Sequence, residues 1–422
     1  MVQSCARQPF QLQESRLKKL SCWITLIRGT ANVTLYRSKC RSFPDKTKPR
    51  GYYLIKVVTV IGARPQFVKC APVSKRLRTV AREVLIHTGQ HYDRNLSDTF
   101  FDQLGIPAPD YQLNVGSGPH GQQTGEMLAR IEPVLVREKP ESVIVYGDTN
   151  SALAGALAAA KLNIPVIHIE AGLRSFNREM PEEVNRVVID HISALLFCPT
   201  DTAVRNLATE GITSGVFLVG DVMYDALLQN IEAADHTSTI LSKLDLEKHR
   251  YVLVTVHRQE NTEDISNLCN IVDALGRIAE AGSVVVFPVH PRTRAKLHGL
   301  WGPCALNIRI IDPVPYLDML QLEKHAEVIL TDSGGVQREA FWLDVPCVTL
   351  REETEWLETV KSGRNRIVGT DPARIVAAVE ELWPVRTNLT LRDTPGASDR
   401  IVEHVLKMHD RTTPTCVEMN RC

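Results

Sequence analysis

The chain has 422 residues, of which 44% are hydrophobic and 23% charged, and this composition is typical of a globular protein of two or three domains. The formal net charge is zero, but residues 1–53 carry 11 lysines and arginines against 2 acidic residues, so the rest of the chain has a net charge of −9. An acidic body argues against nucleic acid as the main partner. The longest apolar run near the start, residues 22–27, is too short to span a membrane or to form the core of a signal peptide.

The ten cysteines include no Cys-X-X-Cys pair, and their spacing matches no zinc or disulfide framework. Cys70, Cys198 and Cys347 lie among apolar residues and are predicted to be small buried side chains. His87 and His91 have the spacing of a metal-binding pair on a helix, but they flank a strand end and a glycine, so we predict no metal site there. These features are typical of a protein of the reducing cytoplasm.

Residues 1–53 differ from the rest of the chain. They have no sustained apolar period, and they end in a segment rich in proline, lysine and arginine at 42–51. We expect this extension to be disordered or untranslated, and we expect the tail at 409–422 to be disordered as well.

From Leu54 onward, short runs of β-branched and apolar residues alternate with amphipathic segments of helix length. The first six runs predict strands at 54–61, 83–87, 142–146, 165–169, 194–198 and 216–219. The alternation repeats after 220–221, and it predicts strands at 251–256, 283–287, 308–311, 327–331, 346–350 and 365–368. Strands that alternate with helices predict a parallel sheet with helices on both faces.

We therefore predict an α/β protein with two Rossmann-like, doubly wound parallel-sheet domains that face a central cleft. The first domain spans residues 54–221 and the second spans residues 222–390. A last helix within 391–408 is expected to cross back onto the first domain.

The first predicted strand leads into a turn that is suited to binding an anion. Gly62 allows a tight turn, Pro65 suits the first helical position, and Arg64 and Lys69 flank the start of the helix. The pattern is neither the glycine-rich dinucleotide fingerprint nor a P-loop, so a nicotinamide cofactor is not expected. An ordinary strand-to-helix turn explains these residues equally well.

Acidic residues follow predicted strands or begin a predicted helix in the first half of the chain. Asp148 and Glu170 come directly after strands, where open parallel sheets bind their ligands. Glu182 and Glu183 follow Pro181 in the first turn of a helix, where the helix dipole stabilises an acid, and that explanation suffices for Glu183. Asp148, Glu170 and Glu182 together predict proton transfer in one cleft.

In the second half, a predicted strand ends in Asp332, Ser333 and the glycine pair 334–335, and a helix follows. The glycines let a diphosphate approach the free N–H groups of the helix start, and Ser333 both caps the helix and donates to phosphate. Glu339, about one turn further, is placed to accept hydrogen bonds from ribose hydroxyls. Capping alone would explain Ser333 but not the two glycines, which destabilise a helix.

Two histidine–arginine motifs end neighbouring predicted strands. His257 and Arg258 follow one strand, and His290 and Arg292 follow the next. A single histidine is usually structural, but a histidine–arginine pair at a strand end is more typical of contact with a phosphate or a leaving group. The charged segment 351–356 follows another strand, and a substrate contact and a solvated face are equally good interpretations of it.

Seven motifs, in this order, resemble the non-hydrolysing UDP-N-acetylglucosamine 2-epimerase family, and the resemblance covers residues 54–408. The motifs are Gly-Ala-Arg-Pro-Gln-Phe-Val-Lys (62–69), Thr-Gly-Gln-His-Tyr-Asp (88–93), Gly-Asp-Thr (147–149), Glu-Ala-Gly-Leu-Arg (170–174), Pro-Glu-Glu-Val-Asn-Arg (181–186), His-Arg-Gln-Glu-Asn (257–261) and Asp-Ser-Gly-Gly-Val-Gln (332–337). The family has the glycosyltransferase-B type fold, which agrees with the two predicted domains.

The resemblance implies a role for each residue at a matching position. The acids and bases would be Asp148, Glu170 and Glu182, and the departing nucleotide would be supported by Arg64 and by the catalytic residues Lys69 and His257. UDP and its sugar would be held by Ser333, Gly334, Gly335, Glu339, Arg174, Arg186, His290 and Arg366. No metal and no cofactor is implied, and the family expectation is a cytoplasmic homodimer that serves polysaccharide biosynthesis.

The chemistry that the resemblance implies is inversion at C2 of the sugar in UDP-N-acetylglucosamine. The C2 hydrogen is not acidic in the substrate. Departure of UDP from C1 builds positive charge on the ring, which acidifies C2 and lets a carboxylate take its proton. The resulting glycal-like intermediate receives a proton on the opposite face, and UDP adds back. Carboxylates on both faces of the sugar and cations around the diphosphate suit this reaction.

This chain departs from the bacterial pattern at 92–93 and at 116–121, and it resembles archaeal members and the epimerases of UDP-2,3-diacetamido glucuronate sugars. That sugar is therefore an alternative substrate, and hydrolysis of UDP-N-acetylglucosamine to N-acetylmannosamine is an alternative reaction. A glycosyltransferase of the same fold would share the helix after Asp332 but would not need Glu170 and Glu182 beside Asp148. An inactive nucleotide-sugar binding protein would need none of the three acids.

Overall fold

The computed structural model describes residues 54–90, 101, 103–297, 300, 307–382 and 393–410. The predictions for the extension at 1–53, for His91, for the departure at 92–93 and for nearly all of the tail lie outside these residues.

Seven parallel strands of the described residues form the first sheet, in the order β3-β2-β1-β4-β5-β6-β7. Their bounds are β1 Lys56–Ile61, β2 Arg82–His87, β3 Tyr111–Gln112, β4 Ser142–Tyr146, β5 Val166–Ile169, β6 Leu195–Cys198 and β7 Val216–Leu218. The sequence predicts six of them to within two residues at each end. The exception is β3, which has only 2 residues and therefore no periodic pattern to reveal it.

Six parallel strands form the second sheet, in the order β10-β9-β8-β11-β12-β13. Their bounds are β8 Tyr251–Thr255, β9 Val284–Pro288, β10 Ile308–Ile311, β11 Val328–Thr331, β12 Cys347–Thr349 and β13 Asn365–Ile367. Each of the six agrees with a predicted strand, so the prediction of two doubly wound parallel sheets is confirmed.

Helices connect these strands, and those whose bounds the structure gives begin and end within the described residues. Their bounds are α1 Arg64–Leu77, α2 His120–Glu138, α3 Asn150–Lys161, α4 Pro181–Ile192, α5 Asp201–Thr209, α6 Val222–Thr237, α7 Ile240–Lys243, α8 Gln259–Thr262, α9 Ile265–Glu280, α10 Pro291–Leu297, α11 Tyr316–His325, α12 Gly334–Trp342, α13 Leu357–Lys361, α14 Pro372–Leu382 and α15 Ala397–Met408. Within the ranges that the structure describes, no helix is long and apolar enough to cross a membrane.

The central strands of each sheet are buried on both faces, which explains why they are continuous apolar runs. In β1, Val57 and Ile61 pack into the core on one face, whereas Val58 and Val60 pack into the core on the other. Successive residues of a strand point to opposite faces, so a strand covered on both sides needs apolar residues at every position. The same alternation divides β8 between two cores.

The order of the strands reverses at one place in each sheet, between β1 and β4 and between β8 and β11. Crossover helices leave opposite faces of the sheet on the two sides of such a point, so a crevice opens at the carboxyl ends of the two strands. The fold therefore places one candidate ligand crevice on each sheet.

Two helices tie the sheets together. Helix α6 packs on α1 beneath the first sheet and on α11 beneath the second. Helix α15 packs on α1 and α6, and its start is anchored by Asp225 of α6, which accepts the N–H groups of Gly396 at 2.7 Å and Ser398 at 2.8 Å. A carboxylate satisfies the free N–H groups of a helix start and interacts favourably with the positive end of the helix dipole.

Gly172, just after β5, is predicted to be intolerant of a side chain. Its φ of +78° lies in the left-handed region, and a Cβ atom would lie 2.4 Å from the carbonyl oxygen of Ala203. We expect Gly172→Ala to cost about 2–4 kcal/mol in the free energy of unfolding, since backbone strain and overpacking both act. Gly211 is a matched control, because its φ is +81° but no atom lies within 4 Å of the Cβ position.

The measurement is urea-induced unfolding followed by circular dichroism. Gly211→Ala should cost about 1–2 kcal/mol, since only the backbone term acts there. Equal losses for the two variants would contradict the close approach of Ala203 to Gly172.

Candidate active site

The turn after β1 lies at the crevice of the first sheet, and Gln66 of α1 links it to β4. The Gln66 side-chain oxygen accepts the N–H groups of Gly62 at 2.8 Å and Ala63 at 3.1 Å. Its Nε2 donates to the carbonyl oxygen of Tyr146 at 2.9 Å. Because Gln66 is buried and makes all three bonds, the ends of β1 and β4 are held together at the switch point.

Lys69 of α1 and Glu170 at the end of β5 form an ion pair in this crevice, with 2.5 Å between Nζ and Oε2. Burial by itself would lower the pKa of Lys69, but the charges of Glu170 and Asp148 outweigh it and raise that pKa. Burial raises the pKa of Glu170 to about 7, against the effect of Lys69 and with the support of Asp221 and Asp148. A carboxyl group with a pKa near neutrality can both accept and donate a proton at working pH.

The backbone of Glu170 explains how its carboxylate reaches Lys69. Glu170 has φ +71°, in the left-handed region, and its N–H binds the carbonyl oxygen of Phe197 at 3.1 Å. Such a conformation costs about 1–3 kcal/mol in a residue other than glycine, and it persists only where the surroundings enforce it. Gly147, with φ +59°, packs against the pair: a Cβ atom there would lie 3.4 Å from Lys69 Nζ.

Asp148 follows Gly147 and is held by helix α4. Its Oδ2 accepts a hydrogen bond from Arg186 Nη2 at 2.5 Å, and its carbonyl oxygen accepts from Asn185 Nδ2 at 2.8 Å. Burial tends to lower the pKa of the Arg186 guanidinium. The charges of Asp148, Glu355 and Glu183 outweigh burial and raise this pKa above its usual value. The Asp148 side chain remains 27% exposed.

Glu182 and Glu183 occupy the first turn of α4 and have different surroundings. Glu183 is buried, and it accepts the N–H groups of Ser175 at 2.9 Å and Phe176 at 3.0 Å. Its role is therefore larger than the helix-dipole interaction that the sequence suggested, since it organises the preceding loop. Glu182 is only half-buried and lies four residues before Arg186, so the two residues share a helix face.

The crevice of the second sheet is built around Asp332, which is fully buried at the end of β11. Its carboxylate accepts the N–H groups of His257 at 3.1 Å and Arg258 at 3.0 Å and a hydrogen bond from Asn261 Nδ2 at 3.1 Å. These bonds attach the turn after β8 to the turn after β11. Ser333 then caps α12, since its hydroxyl accepts the N–H of Val336 at 3.4 Å.

The segment 351–356 lies directly over the start of α12. A Cβ atom on Gly334 would lie 2.6 Å from Glu355 Oε1, which explains why position 334 is a glycine. Glu355 also accepts a hydrogen bond from Arg351 Nη1 at 2.9 Å. Burial tends to raise the pKa of Glu355. The charges of Arg351, Arg186 and Arg258 outweigh burial and lower this pKa to about 2. Arginines from both domains therefore surround the start of this helix.

Several contacts show that the two crevices face each other. Arg258 Nη1 lies 3.6 Å from Met180 Sδ, and Asn177 Nδ2 lies 3.3 Å from Glu353 Oε1.

Glu339 of α12 accepts a hydrogen bond from the Tyr316 hydroxyl at 2.8 Å. Burial raises the pKa of Glu339 to about 7, although the Tyr316 hydrogen bond tends to lower it. The charge of Asp221 also raises this pKa, whereas the charge of Lys69 lowers it.

The structure thus brings most of the predicted site residues to this cleft. Those with contacts at the two crevices are Lys69, Asp148, Glu170, Arg186, Ser333, Gly334, Gly335 and Glu339. Arg64 begins α1 and is partly exposed, and His290 is exposed just after β9. His257 is 61% exposed, with Nε2 3.8 Å from Asp332 Oδ1.

Two predicted substrate contacts have other partners. Arg174 is buried behind β5, where it binds Asp190 and Glu210, and Arg366 donates to Glu381 Oε1 at 2.7 Å. The structure does not bring either of them into the cluster of Lys69, Asp148 and Glu170. In the described part of the chain, no group of three or more histidine, cysteine, aspartate or glutamate residues is arranged to hold a metal ion.

Comparison with known proteins gives the family. The profile described as UDP-N-acetylglucosamine 2-epimerase matches residues 75–405. The chain is 52% identical over 358 residues to a UDP-N-acetylglucosamine 2-epimerase homolog of Methanococcus maripaludis, which covers 84% of this chain and 99% of the relative. It is 47% identical over 367 residues to the UDP-2,3-diacetamido-2,3-dideoxy-D-glucuronate 2-epimerase of Pseudomonas aeruginosa, with 84% and 100% covered.

Among solved structures, the chain is similar to the Methanocaldococcus jannaschii UDP-GlcNAc 2-epimerase in complex with UDP-GlcNAc and UDP. The TM-score is 0.77 at 44% identity, over 84% of this chain and 100% of that one. The two facing Rossmann-like domains are therefore a glycosyltransferase-B type fold, and the chain belongs to the UDP-N-acetylglucosamine 2-epimerase family.

Proposed function

We propose that this chain is a UDP-N-acetylglucosamine 2-epimerase, which interconverts UDP-N-acetylglucosamine and UDP-N-acetylmannosamine. The observation that carries the proposal is the convergence of the buried Lys69–Glu170 pair and Asp148 at one switch point, opposite the capped helix start at Ser333 on the other sheet. A nucleotide diphosphate suits the helix start, and proton transfer suits the carboxylates.

In the proposed reaction a carboxylate takes the proton from C2 of the sugar. The electrons of the C2–H bond form a C1–C2 double bond, and the C1–oxygen bond breaks with its electrons going to UDP. A second acid then protonates C2 on the opposite face, and the UDP oxygen adds back to C1. Asp148, Glu170 and Glu182 supply the acids and bases, and a pKa of about 7 suits Glu170 to this exchange.

The departing diphosphate gains negative charge, which the cleft is suited to stabilise. The N–H groups of Gly334 and Gly335 and the Ser333 hydroxyl lie at the start of α12, where the helix dipole favours an anion. Lys69, Arg64, His257 and His290 add positive charge or hydrogen-bond donors around it. Glu339, oriented by Tyr316, accepts the ribose hydroxyls in this proposal.

A second candidate substrate is UDP-2,3-diacetamido-2,3-dideoxy-D-glucuronate. The observation that favours it is the 47% identity to the Pseudomonas aeruginosa enzyme named for that sugar. Both substrates require the same chemistry at C2, so rates with a panel of UDP-sugars separate the two.

We also propose a cytoplasmic homodimer that supplies a precursor for polysaccharide synthesis, on the strength of the family resemblance. Analytical ultracentrifugation tests the dimer, and a single species near 47.1 kDa would contradict it.

The decisive experiment for the reaction is turnover in heavy water. If C2 is deprotonated and reprotonated, the product and the substrate recovered after reversal must both carry deuterium at C2. Mass spectrometry should show a gain of about one mass unit, and the H2 signal should disappear from the proton NMR spectrum. Turnover without label at C2 would rule out epimerisation by proton exchange, and accumulation of free UDP with N-acetylmannosamine would indicate a hydrolase instead.

A further inference from the structure

A chain of buried polar side chains lies behind the ends of β4 and β5. His168 of β5 and Asp190 of α4 are both fully buried, and the distance from Nδ1 to Oδ1 is 2.6 Å. Arg174 Nη1 donates to the other oxygen of Asp190, Oδ2, at 2.7 Å. Three buried ionisable groups are costly unless each is paired, so their retention calls for an explanation.

The inner end of this chain reaches the turn that carries Asp148. His168 Nε2 lies 2.9 Å from the carbonyl oxygen of Gly147. A carbonyl oxygen can only accept, so Nε2 carries a hydrogen atom and donates the hydrogen bond. Gly147 directly precedes Asp148, and its N–H binds the carbonyl oxygen of Ile169 at 2.9 Å, next to Glu170.

The outer end of this chain of side chains is Glu210, which is partly exposed. Arg174 forms two parallel hydrogen bonds with Glu210, from Nε and from Nη2, each of 2.7 Å. Asp190 also accepts the N–H of Gly172 at 3.1 Å, which fixes the loop that follows Glu170. The chain from Glu210 to His168 therefore touches both turns that carry the proposed acids, and Asp190 lies on the same helix as Glu182 and Arg186.

We infer that His168 is a positioning residue for the reaction: through its hydrogen bond to the Gly147 carbonyl it fixes Asp148 against the Lys69–Glu170 pair, and Asp190 and Arg174 fix the imidazole ring. This inference rests on the proposed function. The resemblance alone implies that Arg174 contacts the substrate. The inference instead gives Arg174 a role in this chain of buried side chains. A displacement of about 1 Å at a reacting group lowers a rate about 100-fold, so a hydrogen bond to the preceding peptide matters for catalysis.

Two substitutions at position 168 separate the two hydrogen bonds of the ring. In His168→Gln, the side-chain amide can place an N–H near the position of Nε2 and keep the bond to Gly147. In His168→Asn, the shorter amide places its N–H near the position of Nδ1, which keeps the bond to Asp190 and loses the one to Gly147. We expect kcat to fall about 100-fold in His168→Asn and less than about 10-fold in His168→Gln, with KM and the affinity for UDP unchanged in both.

A purely structural histidine would give a different result. If both variants lose kcat equally, or if the loss in His168→Asn follows the loss of folded protein measured by circular dichroism, the inference is overturned. If the wild-type enzyme exchanges the C2 proton and His168→Asn does so at the same rate, the inference alone fails. Absence of C2 exchange in the wild-type enzyme is the separate outcome that would remove the proposed function.

If neither variant folds, Glu210→Gln is tested instead, because it weakens the partly exposed end of this chain of side chains. We then expect faster amide hydrogen exchange at residues 147–149 and a lower kcat at unchanged KM. Unchanged exchange together with unchanged kcat would overturn the inference.

Discussion

Replacement of Glu170 by glutamine is expected to lower kcat by at least about 100-fold while UDP still binds. Glutamine preserves the size of the side chain but can neither take nor give the proton that a carboxyl group with a pKa of about 7 exchanges. The substitution also removes the negative partner of the buried Lys69 ammonium, 2.5 Å away. Steady-state kinetics and calorimetric titration with UDP give the two quantities.

The matched control is Glu132→Gln, which makes the same chemical change at an exposed position of α2 and should leave kcat unchanged. Asp148→Asn and Glu182→Gln are expected to behave like Glu170→Gln. Ser333→Ala should show the opposite pattern, with weaker UDP binding, since Ser333 lies at the proposed diphosphate site. Near wild-type turnover of Glu170→Gln would remove this residue from the proposed acid–base group.

Local patterns were sufficient to predict the fold. A strand that is buried on both faces must be apolar at successive positions, so β1, β4 and β8 are recognisable as runs. Two-residue β3 makes only an edge contact with β2, and no local pattern distinguishes so short a strand from a loop. The sequence could also place Asp148, Glu170 and Ser333 correctly at element ends, because the carboxyl ends of parallel strands meet at one edge.

The partners of these residues were harder to predict. Arg174 follows Glu170 in a motif, yet its guanidinium turns behind the sheet to Asp190 and Glu210. Glu355 belongs to a charged segment that a solvated surface would explain, but the structure buries it among arginines of both domains. Whether a charged side chain meets solvent or a partner depends on the packing of distant elements, and periodicity carries no information about that.

The partners of His168 were equally hard to predict from the sequence. Within a β-branched strand it reads as one polar residue among apolar neighbours, for which a satisfied core position is the ordinary explanation. Only the structure places Gly147 and Asp190 on its two nitrogens. The alternation of β5 would have shown that the side chain points to the face opposite Ile167 and Ile169, but not which groups lie there.

The other large effect is expected at Arg338, which joins the proposed nucleotide helix to the segments that connect the two sheets. Its Nε donates to Asp221 Oδ2 at 3.2 Å, and its Nη2 pairs with Asp393. The guanidinium carbon lies 4.5 Å from the ring centroid of Trp342 and 4.6 Å from that of Trp356. The side chains of Arg338 and Asp221 are each only 1% exposed, so the Asp221 carboxylate is buried against this guanidinium.

We expect Arg338→Met to lower the free energy of unfolding by about 3–5 kcal/mol, because it leaves a buried carboxylate without its cation. Arg338→Lys should recover little of this loss, since an ammonium group cannot make the forked contact or stack between two indoles. The control is Arg374→Met, at an exposed ion pair with Glu352, where a loss of about 0–1 kcal/mol is expected. Urea unfolding measures all three.

The pH dependence of Arg338→Met separates the lost charge from lost packing. Burial raises the pKa of Asp221 above its usual value, and Arg338 opposes that rise, so removal of the arginine should raise the pKa further. The folded variant then binds a proton at Asp221 more tightly than the unfolded chain does, whose aspartate pKa is about 3.9. Its stability should therefore fall as the pH rises from about 4 through the folded pKa, and acidification should reduce the gap to wild type. Asp221→Asn combined with Arg338→Met should narrow the same gap at neutral pH. A gap that does not change with pH or with the second substitution would assign the loss to the stacking between Trp342 and Trp356 instead.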